Sequence, residues 1–458
     1  MNTIFRSQTH FFILLLLLYF LGCIYLIFNF NGVGTEADSI THFLIAKYAP
    51  QHPELFLDHW GKPIFTLLSS PFAQFGFKGI QFFNMLCVGF NLYLIFRIGK
   101  QLVFKWPLLA CLFYLLFPLS LSTTLSGLTE PLMAAFLLGS LLLMLQNKEA
   151  FALLLISFTP FIRSEGLVII LTFAFFQSMN GKWKSLPYLL VGHLVFALVG
   201  AFYFKDFLWV FNRIPYANLG SPYGSGDWFH FFDKMTYVMG IPLMILFWIG
   251  FVGFSWQGLK KGTPFPPKLL LPACFAAFFI AHTIFWKFGI FNSMGLKRVF
   301  AAITPFMAIM AASVFNHQPH AINLKLWQGF RLASLVFIFL FPFTSNPAAT
   351  EFERDLKQSE KHQALEGLAL NFPYNRLVYA DPYLSLKYSI DQFDPQQYLQ
   401  LHQRNLSQIK SGDLIIWDNW HAVIDGGLDK EKLENWIESK QVRKVKELGE
   451  YYAIYLMQ

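Results

Sequence analysis

The sequence predicts an all-α polytopic membrane protein with about 11 transmembrane helices and a small α/β domain at its C-terminus. Of its 458 residues, 55% are hydrophobic and only 14% are charged. A soluble domain of this length could not bury so much apolar surface. The long apolar runs stop near residue 346, and charged residues then become frequent. We therefore predict a transmembrane domain over 1–345 and a soluble domain over 346–458.

The apolar runs are compared with a hydrocarbon core about 30 Å thick, which needs about 20 helical residues. The first run, 10–28, follows Arg6 and lacks the small-residue cleavage site of a signal peptide, so it is predicted to stay as an anchored helix. The predicted spans lie near 10–28, 77–96, 107–125, 131–146, 151–162, 167–178, 187–204, 239–257, 269–288, 299–315 and 327–345.

The basic residues of the short loops favour a cytoplasmic N-terminus. The residues then placed inside are Arg97, Lys100, Lys105, Lys148, Lys182, Lys184, Lys260, Lys261, Lys268 and Lys325. Five others lie outside, against the rule that basic residues favour the cytoplasmic side: Lys62, Arg163, Lys287, Lys297 and Arg298. An odd number of crossings places the C-terminal domain outside.

We predict a multi-pass protein of a bacterial inner membrane with an extracytoplasmic C-terminal domain. The scattered charge does not form a nucleic-acid surface.

The C-terminal domain is predicted from short β-type runs. Residues 377–380 and 414–417 read as buried strands, 442–445 and 452–456 as further strands, and 430–439 as an amphipathic helix. Upstream, the irregular loop 205–238 is long enough to act as a lid or to contact substrate. All four cysteines fall inside predicted spans and are interpreted as small apolar side chains.

An acidic pair, Glu36 and Asp38, follows the first predicted span. Carboxylates placed against a membrane are costly unless they are used, so we interpret the pair as part of a site. An acid at a helix N-terminus is also a favourable cap, and that interpretation stays open for both residues. Two carboxylates could hold Mg²⁺ or Mn²⁺, but they are too few to predict a metal site.

The order of residues in this loop resembles the first extracytoplasmic loop of the GT-C glycosyltransferases. These membrane enzymes take a sugar from a polyprenyl-phosphate or diphosphate carrier, and they include protein O-mannosyltransferases, lipid A aminoarabinose transferases and GPI mannosyltransferases. Asp38, His42 and Ala46 fit the spacing of the family, and Lys62-Pro63 fits the second half of the loop. Ser39 stands where several relatives carry a second acid, which leaves Glu36 as a substitute.

Three further segments appear in the order of the family. Glu130 begins the fourth predicted span, where relatives carry an acid that faces the site. Arg163 and Glu165 lie at the outer end of the fifth span, where relatives place a basic residue for the carrier phosphate. Lys297-Arg298 resembles the basic motif that opens a late span in the mannosyltransferase branch.

The resemblance implies an inverting transfer from a polyprenyl-phosphate-linked hexose, such as mannose, to a lipid, glycan or protein. Such a transfer needs a carboxylate that takes the acceptor proton and cations that neutralise the departing phosphate. The expected base is Asp38 or Glu36. The expected phosphate ligands are Lys62, Arg163, Lys297 and Arg298, and the expected orienting residues are His42, Glu130 and Glu165.

Other interpretations stay open for these residues and for the whole chain. Lys62, Arg163 and the Lys297-Arg298 pair could bind lipid headgroups, and His42 could be a packed ring. A transporter or flippase would also use many helices with intramembrane charge, and an assembly subunit with a soluble receptor domain is a third class. The acids lie at outer helix ends rather than at mid-bilayer, and the chain lacks two matching halves, which favours the enzyme.

Overall fold

The computed structural model describes residues 2–32, 37–215, 220–316, 323–344, 346–370, 373–438 and 440–458. Most of these residues are helical, and a single five-stranded sheet lies near the C-terminus. The helices before the sheet are α1 (Asn2–Asn29), α2 (Ala37–Tyr48), α3 (Pro63–Ala73), α4 (Phe77–Gln101), α5 (Pro107–Leu116), α6 (Pro118–Thr124), α7 (Glu130–Leu145), α8 (Glu149–Ile156), α9 (Gly166–Met179), α10 (Val191–Tyr203), α11 (Trp209–Asn212), α12 (His230–Met239), α13 (Ile241–Lys260), α14 (Leu270–Phe288), α15 (Thr304–Ser313), α16 (Leu324–Leu340), α17 (Pro347–Leu356) and α18 (Glu360–Gln363).

Six helical segments among the described residues are long and apolar enough to cross a membrane: Gln8–Asn29, Phe77–Gln101, Trp183–Tyr203, Ile241–Lys260, Pro267–Phe288 and Leu324–Phe343. A seventh crossing results if α5 and α6, which meet at a 72° bend, form one broken span. The other predicted runs are helical but too short, since at about 1.5 Å per residue the 16 residues of α7 rise about 24 Å. A multi-pass membrane protein is therefore confirmed, but the count of eleven crossings is not.

A break separates α5 from α6, and the end of α6 runs into an irregular segment, 125–129, whose residues are buried inside the bundle. Pro118 starts α6 and has no N–H to continue the helix. Side-chain amides of α4 donate to carbonyls of this region: Gln81 to the Leu125 carbonyl (2.7 Å), Asn84 to the Leu128 (3.0 Å) and Thr123 (3.2 Å) carbonyls, and Asn91 to the Pro131 carbonyl at the start of α7 (2.9 Å). Irregular backbone is tolerated in such surroundings only when its polar groups are bonded within the protein.

The centre of the bundle is α15, whose ten residues are all buried. It packs against α13, α5 and α14. Gly250 of α13 lies so close to α15 that an added Cβ would stand 1.9 Å from the Met310 carbonyl oxygen. A small residue is required for this close approach of two helices.

The C-terminal part contains β1 (Leu377–Tyr379), α19 (Pro382–Tyr388), β2 (Tyr398–Gln400), β3 (Leu414–Asp418), α20 (His421–Ile424), α21 (Lys430–Glu438), β4 (Val442–Leu448) and β5 (Tyr452–Met457). The strand order is β2-β1-β3-β5-β4. The first three strands are mutually parallel, and β5 is antiparallel to both β3 and β4. Side chains alternate between two buried faces: Ile415 and Trp417 pack with Leu433 of α21, while Leu414 and Ile416 pack with Leu384 of α19.

The predicted strands and the amphipathic helix of this part are present. β2 is an additional strand, and it escapes prediction because it has only three residues, none of them fully buried. β4 runs to Leu448 rather than 445, past a register shift between Lys444 and Lys446. The division of the chain at 345/346 stays a prediction, because α17 packs against α6 and α12.

We predict that Asn84→Ala lowers the unfolding free energy by about 1–3 kcal/mol, the cost of leaving a buried carbonyl without its donor. Thermal unfolding of the purified protein in detergent measures this loss. Gln101→Ala is the matched control, because Gln101 also donates from α4 to a carbonyl but is exposed. Equal midpoints for the two variants would contradict the role given to Asn84.

The orientation predicted from the basic loops can be measured by cysteine labelling. The four native cysteines are buried, and both Lys446 and Lys261 are exposed. Lys446→Cys should react with a membrane-impermeant maleimide added outside the cell, whereas Lys261→Cys should react only after the membrane is opened. The opposite pattern would reverse the orientation.

Candidate functional site

A cavity of about 1150 Å³ lies between the helical bundle and the C-terminal sheet. One wall comes from α2, α6, α12, α17 and the 3₁₀ segment Lys297–Ala302. The opposite wall is the edge of the sheet where β1, β2 and β3 end, which in parallel sheets is the usual place for ligands. The side chains of the bundle wall that carry charge are Asp38, Lys234, Lys297, Arg298, Glu351, Arg354 and Asp355.

Two ion pairs occupy the bundle wall. Asp38, in the first turn of α2, contacts Arg298, and Lys297 contacts Glu351 of α17. The Asp38 side chain is 36% exposed, so its carboxylate is accessible from the cavity while it pairs with Arg298. Three of the residues predicted to act in catalysis or phosphate binding, Asp38, Lys297 and Arg298, therefore meet in one place.

Two further cations of this wall, Lys234 and Arg354, were not predicted from the sequence. Lys234 belongs to α12, within the loop region 205–238, and Arg354 belongs to α17. Burial lowers the pKa of Lys297 to about 8; Arg354 and Lys234 add to the lowering, and Asp355 opposes it. An anion bound here would be attracted by all of these cations.

A second group of predicted residues lies away from the cavity, inside the bundle. We call Lys62, Glu130, Arg163 and Glu165 the inner ion cluster. The Arg163 guanidinium is 2.7 Å from the Glu130 carboxylate and 2.8 Å from the Glu165 carboxylate. Lys62 donates to the Ser164 hydroxyl over 2.7 Å. Glu130 is fully buried and the Arg163 side chain is 14% exposed, so this cluster is built to satisfy its own charges.

His42 lies between the two groups. Its ring centroid is 4.6 Å from that of Trp60, which lines the cavity, and 5.3 Å from that of Phe65. Burial lowers the pKa of His42 to about 3, and the nearby Arg163 and Lys62 charges contribute to the shift. His42 is thus a neutral, packed ring whose side chain does not line the cavity.

The sheet wall contains a network that sequence reasoning missed. Asp381 follows β1 and Asp418 ends β3. Lys361 lies between them, with its ammonium 2.7 Å from Asp381 and 3.0 Å from Asp418. His421 lies 3.0 Å from Asp425. The available signal was an acid directly after each predicted buried strand, because the carboxyl ends of neighbouring parallel strands meet at one edge.

Opposite charges within this network shift the pKa values of its members. Burial alone would lower the pKa of Lys361, but Asp381 and Asp418 outweigh it and raise the pKa above its ordinary value. Burial would raise the pKa of Asp381, but hydrogen bonding to His362 and the Lys361 and His421 charges hold it well below its ordinary value. Asp381 and Lys361 are therefore both charged near neutral pH and remain paired.

Beside the network, the sheet wall offers neutral polar and aromatic groups to the cavity. Trp420 is 50% exposed, and Gln400 and Asn419 are exposed next to it. Tyr223, from the loop 205–238, also lines the cavity and donates to Asp425 over 3.0 Å. The two walls differ in character, since four of the cavity-lining Lys and Arg side chains, Lys234, Lys297, Arg298 and Arg354, lie on the bundle side.

Glu36 lies outside the described residues. Of the predicted acidic pair, the structure therefore describes Asp38 alone. Within the described part of the chain, no three His, Cys, Asp or Glu side chains are grouped as metal ligands. The roles predicted for Lys62, Arg163, His42, Glu130 and Glu165 stay predictions, and none of these five side chains lines the cavity.

No protein-family model and no curated protein matches the sequence. Among solved structures, the crystal structure of ArnT from Cupriavidus metallidurans bound to undecaprenyl phosphate is similar over 98% of each chain, with 11% identity and a TM-score of 0.56. Its apo form gives a TM-score of 0.57 with 10% identity over the same shares.

The archaeal oligosaccharyltransferase AglB from Archaeoglobus fulgidus, in complex with an inhibitory peptide and a dolichol-phosphate, is similar over 90% of this chain and 70% of its own, with 11% identity and a TM-score of 0.54. Both proteins are polyprenyl-phosphate-dependent glycosyltransferases of the GT-C superfamily. At these identities the similarity is one of architecture, and it covers the bundle and the sheet alike. The chain shares the fold of these solved structures.

Proposed function

We propose that this protein is a membrane glycosyltransferase that moves a sugar from a polyprenyl-phosphate carrier to an acceptor hydroxyl. The observation that carries the proposal is the meeting of Asp38 with Lys297 and Arg298 in one large cavity. The transfer needs a carboxylate and a phosphate site side by side. The similar ArnT and AglB structures were solved with undecaprenyl phosphate and a dolichol-phosphate, which supports a carrier of this class.

In the proposed reaction the acceptor oxygen attacks the anomeric carbon of the donor sugar. The bond from that carbon to the phosphate oxygen breaks, and the electron pair leaves with the phosphate. Asp38 takes the acceptor proton as the new bond forms. A single displacement of this kind inverts the anomeric configuration. The sugar is proposed to be a hexose such as mannose.

The donor phosphate is proposed to bind the bundle wall. Lys297 and Arg298 provide the direct contacts, and Lys234 and Arg354 add positive potential. A guanidinium beside an ammonium suits a phosphate, because the guanidinium donates two parallel hydrogen bonds.

The acceptor is proposed to lie against the sheet wall, opposite the phosphate. Trp420 offers an apolar face, and Asn419 and Gln400 offer amide donors and acceptors. A lipid, glycan or protein hydroxyl directed from this wall would reach Asp38 across the cavity. The proposed location is a bacterial inner membrane, with the cavity on the extracytoplasmic side.

We predict that Asp38→Asn folds normally and lowers the turnover number by about 10²–10⁴-fold, the usual contribution of a general base. The measurement is transfer of radiolabelled sugar from a polyprenyl-phosphate donor by the purified enzyme. Asp227→Asn, an exposed change outside the cavity lining, is the control. Near-normal turnover of Asp38→Asn would assign the base elsewhere, with Glu36 the next residue to test.

The phosphate site can be assigned by comparing the cavity cations with the inner ion cluster. Lys297→Ala and Arg298→Ala should each weaken donor binding by roughly 1.5–3 kcal/mol, the contribution of a hydrogen bond to a charged group. Arg163→Ala should instead lower the unfolding free energy by about 3–5 kcal/mol, because it leaves buried carboxylates without their cation. Donor affinity and thermal stability are measured on each variant. A stable Arg163→Ala protein that has lost donor binding would move the phosphate to the inner cluster.

A further inference from the structure

The two cations proposed to hold the phosphate are each contacted by a carboxylate of this chain. Arg298 contacts Asp38, and Lys297 contacts Glu351. Carboxylate and phosphate oxygens accept the same hydrogen bonds from ammonium and guanidinium groups. The donor phosphate and the Glu351 carboxylate are therefore alternative ligands of Lys297.

Glu351 is carried by a short helix that borders the cavity. α17 packs against α6 and α12, and both of these helices also line the cavity. Its C-terminal end is tied to the end of α1, since the Gly32 N–H donates to the Leu356 carbonyl over 3.0 Å. The helix turns Glu351, Phe352, Arg354 and Asp355 towards the cavity. Glu353 instead pairs with Lys357 at the exposed surface.

We propose that Glu351 is an internal anion of the donor site, which occupies on Lys297 the position that the carrier phosphate takes and so sets the affinity for the donor. This inference rests on the proposed function and adds a residue that the transfer chemistry itself does not require. The Lys297 and Glu351 side chains are 24% and 30% exposed, so the pair is open to exchange with an incoming anion. A phosphate that reaches Lys297 also lies beside Arg298 and draws it from Asp38.

This arrangement couples the base to the donor. While Arg298 contacts Asp38, the carboxylate is a poorer proton acceptor, because a neighbouring positive charge favours its ionised form. When the phosphate engages Arg298, Asp38 regains its basicity with the donor already in place. The Glu351 carboxylate meanwhile gives Lys297 a counter-ion while no phosphate is bound, as Asp38 does for Arg298.

The test is the binding of farnesyl phosphate, a soluble short-chain polyprenyl phosphate, to the purified full-length protein in detergent, measured by isothermal titration calorimetry. Glu351→Gln keeps the size and hydrogen-bonding capacity of the side chain and removes its charge. We expect it to bind farnesyl phosphate about fivefold more tightly than the wild type, the order expected when a partly exposed ion pair no longer competes. Glu353→Gln, two residues away on the outer face of the same helix, should bind like the wild type.

A purely structural role for Glu351 would give a different pattern. Loss of a structural ion pair would lower thermal stability and weaken binding together, whereas competition predicts lower ligand-free stability with tighter binding. In the Lys297→Ala background the gain from Glu351→Gln should disappear, because the two residues act on one site. Unchanged or weaker binding by Glu351→Gln would overturn the inference.

The result also separates this inference from the proposed function. If the wild type binds farnesyl phosphate and Lys297→Ala weakens it, while Glu351→Gln changes nothing, only the role of Glu351 is overturned. If the wild type fails to bind and Lys297→Ala makes no difference, the phosphate site itself is overturned, and the role of Glu351 with it.

Discussion

The fold depends on supplying hydrogen-bond donors to a backbone that breaks inside the bundle. The irregular segment between α6 and Glu130 places buried carbonyls beyond the regular helix, where bonds within the protein must satisfy them. Asn84 and its neighbouring amides on α4 donate to them. Because that segment is held, α6 can turn Ser122 and Thr123 towards the cavity. The cavity wall is thus positioned by groups that never contact substrate.

Charged side chains inside the bundle also need partners within the protein. The way in which they are paired divides the basic residues into two kinds. Arg163 has carboxylates on both sides and lies among helices that pack closely, so losing either partner would leave a buried charge. Lys297 and Arg298 contact one carboxylate each at the rim of a large cavity. The first arrangement stabilises the bundle, and the second allows exchange of ligands.

Features that are local patterns in the sequence could be predicted. They are the apolar runs, the acidic loop and the strands 377–380 and 414–417. The number of crossings could not, since hydrophobicity alone does not distinguish a span from a short helix buried by its neighbours, as α15 is. Gln81 and Asn84 read as ordinary polar residues within a span, and their role depends on carbonyls 44 residues further along the chain. Lys234 and Arg354 join Lys297 only through tertiary packing.

The sequence motif at Asp38 and the motif at Lys297-Arg298 are separated by more than 250 residues, and the fold makes them a single ion pair. In the proposed mechanism Asp38 is held back as a base until phosphate engages Arg298, because the same guanidinium contacts both groups. Glu351 supplies the negative counter-charge of Lys297, and it comes from the segment that joins the bundle to the sheet. The proposal therefore links donor binding, the basicity of Asp38 and the placement of the C-terminal sheet over the cavity through two adjacent basic residues, Lys297 and Arg298.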